Sequence, residues 1–304
     1  MDAKNEYLFW LTNIMTNELP LDAKRRIFLE TPKAVGTTRG IQLAENQILR
    51  TIKQTCDKNN LNFFLMGGTL LGAVRHRGFI PWDDDIDIGM MKPDLMKLIS
   101  IINESPDSMI QIKKYYQFNG GTVYKAKYKF TKTIFVDIFP FEPLNATDEN
   151  ANTVWEETQN IASDFSSRIL AEVKAKGLYQ QSLVTPVASE EMDLFFRNLE
   201  QELANCKYLG QGPYFSECIE NGYKFRKSRG LLKFDDLYPL LTDEVEFEGE
   251  KYSAWKNYMT RLEMFFGDIY SFPKCIVQKH KAEFEGVEND LQSLIEKKII
   301  EVEK

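Results

Sequence analysis

Residues 63–90 read FFLMGGTLLGAVRHRGFIPWDDDIDIGM. The apolar run Phe63–Met66 has the length of a buried strand, Gly67-Gly68-Thr69 is a turn, and LLGAVRH is a short helix that Gly78 closes. GFIPW then leads as a loop into DDDIDIGM, where Asp85-Ile86-Asp87-Ile88 alternates with the period of a strand. Residues two apart on a strand share a face, so Asp85 and Asp87 project together while Ile86 and Ile88 pack. Neighbouring carboxylates repel, and inside an apolar strand an unpaired charge costs roughly several kcal/mol unless a cation or a proton offsets it. Hard oxygen donors of this kind suit Mg²⁺ or Mn²⁺.

Upstream, Ala44, Ile48, Ile52 and Cys56 recur every fourth position in a helix that begins near Ile41 and ends at Asn59-Asn60. Two short helices, Tyr7–Met15 and Asp22–Glu30, precede it, with the loop TPKAVGTTRG broken by Pro32, Gly36 and Gly40. Downstream, Pro93 opens a helix, and two β-like runs flank Asn119-Gly120-Gly121, a hairpin signal. TIFVDIF follows as a strand carrying Asp137 and stopped by Pro140. From about Asp148 the chain turns helical, with one amphipathic helix ending at Gly177 and another opened by Ser189. Later, EVEFEGEKYSAW turns at Gly249, and Trp255, Tyr258, Met259, Leu262, Phe265 and Phe266 mark one helical face, read as core and closed by Gly267.

The rest of the composition removes alternatives. Thirty-eight Lys and Arg stand against 45 Asp and Glu, a net charge of −7 that speaks against sequence-independent nucleic-acid binding. Only two histidines, His76 and His280, are present, too few for a His-rich zinc site, and no G-x-S-x-G elbow accompanies them. His280 reads as structural or surface. Cys56, Cys206, Cys218 and Cys275 are scattered without a C-x-x-C pair, as in a reducing compartment. The opening MDAKNEYLFW lacks the layout of a signal peptide, and no apolar stretch is long enough to span a bilayer, so a cytoplasmic protein is expected.

The acids could be a solvated charged face, but their alternation with isoleucine argues for a metal site. An EF-hand starting at Asp83 would need Gly at its sixth position and Glu at its twelfth, where this chain has Ile88 and Asp94. The D-x-D clamp of sugar-nucleotide glycosyltransferases remains open. Gly67-Gly68-Thr69 at a helix N-terminus offers backbone N–H groups to a phosphate, although it matches neither the P-loop nor the dinucleotide fingerprint. Together with Asp85, Asp87 and Asp137 it forms a glycine turn and three carboxylates, a set suited to metal-assisted phosphoryl transfer. Arg75, His76 and Arg77 lie between turn and acids, either as partners of a diphosphate or as basic residues complementing a helix C-terminus. Trp82 either walls the site or packs beneath the loop.

Residues 63–90, with FVDIFPF downstream, resemble the LicD family of cholinephosphotransferases, relatives of the fukutin-type phosphotransferases within the nucleotidyltransferase superfamily. The similarity extends through CDKNNLNFF and, more weakly, to VEFEGEKYSAWKNYMTRLEMFFGDIYSFPK. The chain departs from the family at the short, Lys-rich YKAKYKFTKT, and residues 145–240 show little match. The resemblance implies an α+β fold: a nucleotidyltransferase-like mixed sheet with flanking helices and a helical C-terminal portion. It divides the chain into an N-terminal helical segment (1–40), a catalytic core (41–145) and a helical and short-strand portion packed on that core (146–304).

It also implies transfer of a phospho-alcohol, typically phosphocholine, from a CDP-activated donor to a hydroxyl of a cell-surface glycan precursor, with release of CMP. A nucleotidyltransferase moving a nucleoside monophosphate to a small hydroxyl compound is the alternative. Asp85 and Asp87 would hold Mg²⁺ or Mn²⁺, and Asp137 would complete the metal site or accept the acceptor's proton. Gly67, Gly68 and Thr69 would form the phosphate-side turn; Arg75, His76, Arg77 and Trp82 are candidate substrate contacts by their place between turn and acids, not by the resemblance. The acceptor would be lipid-linked, reached by peripheral contact at the inner face of a membrane, and no nucleic acid is expected.

Overall fold

The computed structural model describes residues 9, 12–15, 17–116, 121–179, 190–221, 230–233, 244–273 and 284–301. Helices α1 (Pro20–Glu30) and α2 (Gly36–Asn59) precede strand β1 (Phe63–Leu65), helix α3 (Gly67–His76), strand β2 (Asp87–Met91) and helix α4 (Lys92–Glu104). Strands β3 (Ile110–Tyr116), β4 (Thr122–Tyr128) and β5 (Phe135–Leu144) follow, then helices α5 (Ala151–Ala175) and α6 (Glu190–Ala204). The later elements are β6 (Tyr214–Glu217), a 3₁₀ turn at Ile219–Asn221, β7 (Leu232–Lys233), the hairpin β8 (Glu244–Phe247) and β9 (Glu250–Ser253), α7 (Tyr258–Phe266) and α8 (Val287–Glu296).

The main sheet has the order β1-β2-β5-β4-β3, with β6 on β5 and β7 on β6. All its pairings are antiparallel except β2 with β5, so this is the mixed sheet of an α+β fold. The parallel pair carries the site, because it sets Asp87 in register with Asp137. Helix α2 lays Ile41, Ala44, Ile48, Leu49, Ile52 and Cys56 into the main core. Trp255, just before α7, packs edge-on against Phe64 of β1 and Phe141 of β5. Gly89 of β2 leaves room for these rings, since a Cβ there would lie 2.3 Å from Phe64. Helices α5 and α6 form a second core with Ile219. No helix among the described residues is long and apolar enough to cross a membrane.

Several boundaries differ from the sequence expectation. Helix α2 starts at Gly36 rather than near Ile41, and Gly40 lies inside it. A Cβ at Gly40 would sit 3.0 Å from Leu291 of α8, so this glycine permits close helix packing and does not break the helix. Strand β5 runs through Pro140. The N–H of Asp137 bonds Ile86 on the β2 side, so by alternation residue 140 addresses the other edge, where the pairing with β4 has ended at Ile138 and that with β6 begins at Phe141. A missing N–H costs the ladder nothing at that gap. Helix α3 is closed by Arg77 in the left-handed conformation (φ 54°), one residue before Gly78. In the aromatic stripe Trp255 and Leu262 are buried, but Phe265 and Phe266 are 42% and 44% exposed and are not core. Tyr7, Leu8, Trp10 and Leu11 of the expected first helix, together with Asn119, Gly120, Ser189, Cys275 and His280, lie outside the described residues.

Candidate active site

The expected strand over Asp85–Ile88 begins two residues later. Asp87 is the first residue of β2, and Asp83, Asp84 and Asp85 lie in the loop before it. The alternation itself holds, with Ile86 and Ile88 buried and Asp85 and Asp87 half-buried. Asp84 is buried as well, so the loop turns one carboxylate inward between the half-buried Asp83 and Asp85. Asp83, Asp84 and Asp85 each place an oxygen within 4.8 Å of the others. Beside them, Asp87 of β2, Asp137 of β5 and Lys125 of β4 form one row across three strands. The Lys125 ammonium is 2.9 Å from Asp137 Oδ1 and rests 3.3 Å from the Phe135 ring centroid. Lys125 is 1% exposed, so the sheet holds a cation beside the acids by construction.

The glycine turn is shaped by these acids. Met66 N–H donates to the Asp87 carbonyl at 3.2 Å, and the Asp87 N–H donates to the Thr69 hydroxyl at 2.8 Å, tying the first turn of α3 to the start of β2. Gly67 adopts φ +58°, and a Cβ on it would lie 2.4 Å from Asp87 Oδ2; one on Gly68 would lie 2.6 Å from Asp83 Oδ2. Both glycines are therefore clearances for carboxylates that stand over a helix N-terminus, where backbone N–H groups and the helix dipole favour negative charge. An anionic phosphate gains from the same groups.

The basic residues take other places. Arg75 is buried, its Nη1 donating to the carbonyls of Ile269 (2.9 Å) and Ser271 (3.4 Å), with its guanidinium 4.4 Å over the Phe28 ring. Burial lowers its pKa to about 10, with Asp83 opposing the shift. A guanidinium committed to two carbonyls and an aromatic face is a brace between α3 and the segment after α7, which corrects the expected diphosphate contact. Arg77 is exposed at the C-terminus of α3, and Glu248 donates its N–H to the Arg77 carbonyl. Ten helical residues put Arg77 roughly 15 Å from the glycine turn, so it too is no partner of a phosphate there.

His76 accepts from Arg75 Nε at Nε2 (3.1 Å), which leaves Nδ1 to donate to the Phe28 carbonyl at 2.8 Å. Burial, and next the Arg75 charge, push it down to about 4 from its ordinary 6.5, against the pull of the Phe28 carbonyl. It is a neutral structural imidazole and not a phosphate contact. Between those two values the unfolded chain binds more protons than the folded one, so acidification from pH 6.5 to about 4 costs stability. His76→Gln, neutral throughout, is expected to flatten the fall in Tm over that window; identical slopes in the two proteins would exclude the assignment.

Trp82 is half-buried, edge-on to His76, and does line a cavity. That cavity, of 270 Å³, opens beside Gly68 and Asp83 between Arg75 and Trp82 on one side and Phe266, Asp268 and Phe272 on the other. A larger one of 430 Å³ lies at the other end of α2, against the β8–β9 hairpin, and none of the acids lines it. The smaller cavity is the one that adjoins chemistry.

Two residues at the site escaped the sequence reading. Glu45 of α2 is completely buried, and burial together with Asp85, Asp84, Asp137 and Asp83 raises its carboxyl pKa well above the ordinary range. The signal was available: Ile41, Glu45, Ile48 and Ile52 keep helical spacing, with an acid in a core position. Lys125 was hidden among alternating lysines in YKAKYKF, where only the register with Asp137 separates it from Lys127 and Lys129. The assembled donors are all hard carboxylate oxygens around a buried acid, a set that fits Mg²⁺ or Mn²⁺.

Residues 60–174 match the family model described as LicD/FKTN/FKRP, nucleotidyltransferase domain. The chain is 23% identical over 254 residues to the lipopolysaccharide cholinephosphotransferase LicD of Haemophilus influenzae, covering 78% of this chain and 92% of that one. It is 27% identical over 106 residues to human ribitol 5-phosphate transferase FKRP, covering 32% of this chain and 21% of that one. An uncharacterised protein of Rickettsia prowazekii is 36% identical over 93 residues, 31% of each chain. The matched region begins just before β1 and carries the glycine turn, the acid loop, β2 and β5, so residues 60–174 are similar to the nucleotidyltransferase domain of the LicD/FKTN/FKRP family.

Proposed function

We propose that this protein transfers a phospho-alcohol, phosphocholine first among them, from a CDP-activated donor to a hydroxyl of a glycan precursor and releases CMP in a Mg²⁺- or Mn²⁺-dependent reaction. The observation that carries the reading is the Asp87–Asp137 pair, set in register beside Lys125 and opening toward the glycine turn. Asp85, Asp87 and Asp137 would hold the cation, which when bound supplies charge stabilisation to the diphosphate oxygens. The acceptor's hydroxyl oxygen forms a bond to the phosphorus bearing the alcohol, the bond from that phosphorus to the bridging oxygen breaks, and CMP leaves with the electron pair. A site carboxylate, Asp137 if it is not a ligand, takes the hydroxyl proton.

The first turn of α3 orients the phosphates through its free N–H groups. The rings of Trp82, Phe266 and Phe272, with the carboxylates of Asp83 and Asp268, line a cavity next to that turn. Aromatic faces with nearby acids suit a quaternary ammonium better than a polyol, which favours choline over ribitol. On this reading the acceptor is lipid-carried and is met at the cytoplasmic face of a membrane by peripheral contact, since a net charge of −7 gives no general attraction to anionic lipid.

Thermal unfolding with Mg²⁺ and either CDP-choline, CDP-ribitol or a nucleoside triphosphate tests donor choice, because a ligand of the folded state raises Tm by mass action. CDP-choline at about 100 times its Kd should stabilise by about 2.7 kcal/mol, and CDP-ribitol by less. A triphosphate that alone stabilises the chain, followed by pyrophosphate release and nucleotide attached to the acceptor, would move the protein to the nucleotidyltransferase reading.

A further inference from the structure

We propose that Gln42 is a positioning residue for the donor: its side-chain amide, oriented by Arg39, holds the turn that sets Trp82 and Asp83 against the cavity beside Gly68. This rests on the donor reading above and extends it to two residues of α2 that line neither of the cavities described. The turn is Ile80-Pro81-Trp82-Asp83, closed by the Asp83 N–H, which donates to the Ile80 carbonyl at 2.9 Å. Pro81 sets one φ of this turn but has no N–H with which to secure it. The hold comes from the helix instead. Gln42 Nε2 donates to the Asp83 carbonyl at 3.0 Å and to the Ile80 carbonyl at 3.4 Å, so one amide grips both ends of the turn.

The far end of that amide is held as well. Gln42 Oε1 accepts from Arg39 Nη1 at 3.3 Å, one helical turn earlier on the same face of α2. Exchanging oxygen and nitrogen would set Oε1 against two carbonyls and the amide N–H groups against a guanidinium, so these partners select one orientation. Gln42 is 1% exposed, and its bonds to the protein replace those to water. Arg39 is fixed in turn: its Nη2 donates to Glu248 Oε2 at 2.8 Å, and the same oxygen takes Lys33 Nζ at 2.9 Å. The planar guanidinium addresses Gln42 and Glu248 together, which a lysine ammonium does not reproduce. At the other end of this chain of bonds, Trp82 and Asp83 line the 270 Å³ cavity, and Asp83 Oδ2 stands over Gly68. Asp87 and Asp137 have separate supports in the β2–β5 register, the Thr69 hydroxyl and Lys125. Loosening the turn therefore weakens the seat of the donor and leaves the proposed catalytic pair in place.

The test uses the whole chain, with CMP release measured as CDP-choline is varied and hydrogen exchange followed at the Asp83 amide. Gln42→Met keeps the length of the side chain and removes the amide. It should raise KM for CDP-choline about tenfold, the worth of one or two hydrogen bonds, with kcat within about twofold of the wild type. Arg39→Met, at a half-buried position, should raise KM in the same direction by less. Because Arg39 acts through Gln42, the double variant should be no worse than Gln42→Met alone. Exchange at Asp83 should quicken in both single variants. A lower Tm with KM, kcat and exchange unchanged would make Gln42 a packing residue and overturn the proposal, and additive effects in the double variant would remove Arg39 from it. Should Gln42→Met fail to fold, Arg39→Met decides by the same readouts. A wild type that releases no CMP from CDP-choline overturns the donor reading, and the exchange arm, which needs no substrate, then decides whether Gln42 holds the turn.

Discussion

Asp87→Asn is expected to lower turnover by roughly 10³-fold or more while the protein melts at or above the wild-type temperature. The size of the loss follows from position. Asp87 is the residue in register with Asp137, its Oδ2 faces Gly67, and its N–H is held by Thr69, so it meets the proposed catalytic row and the glycine turn at once. Asn keeps the shape and the backbone bonds but removes the charge that a cation and a developing phosphoryl transition state require. Stability should not suffer, because relieving one of several crowded carboxylates lowers repulsion within the folded state. The comparison is the initial rate of CMP release from CDP-choline with acceptor, against Tm by calorimetry. An Asp87→Asn enzyme within tenfold of the wild type would place the chemistry elsewhere.

Gly67→Ala should separate activity from stability in the opposite direction to an ordinary core mutation. An L-residue at φ +58° costs about 1–2 kcal/mol, a modest fall in Tm. The new Cβ would also meet Asp87 Oδ2 at 2.4 Å, and because that atom is the end of a flexible side chain the carboxylate turns away without disturbing the fold. Misplacing a reacting group by about 1 Å costs about 10²-fold in rate, and a loss of that order in kcat/KM is expected. Gly249→Ala is the matched control. It has φ +82°, open space where its Cβ would go, and a place in the β8–β9 turn. Its stability loss should be similar and its activity unchanged. Equal activity losses in the two variants would show that strain, not the carboxylate, governs the effect.

The path from sequence to site was readable where chemistry and local pattern coincide. Phe63–Met66, the glycine turn, the isoleucine alternation and the apolar run around Asp137 each declare themselves within a few residues, and the structure joins them as β1, α3, β2 and β5. What stayed hidden depends on distant partners. Arg75 and His76 look like phosphate ligands in a string of basic residues, but their roles are set by carbonyls at Phe28, Ile269 and Ser271. Pro140 reads as a stop until the change of partner from β4 to β6 is known. Glu45 was missed because a search for apolar periodicity passes over the polar residue that interrupts it. Spacing puts Phe265 and Phe266 on the same helical face as Leu262 but does not show whether anything covers them, and both are exposed.

Several braces of the site reach it from far along the chain. Asp290 accepts the N–H groups of Lys132 and Thr133 and the Thr133 hydroxyl, holding the approach to β5. Ile269 and Ser271 hold Arg75, and Trp255 packs edge-on against Phe64 and Phe141, the rings that lie over Gly89. During synthesis the residues that match the family emerge first and these supports last, so a nascent chain ending near residue 174 carries every acid of the row but lacks the groups that fix its geometry. Loop closure across such separations is slow compared with local helix formation. The proposed active site is therefore expected among the late-forming parts of the molecule, since the groups that brace it are the last to be synthesised.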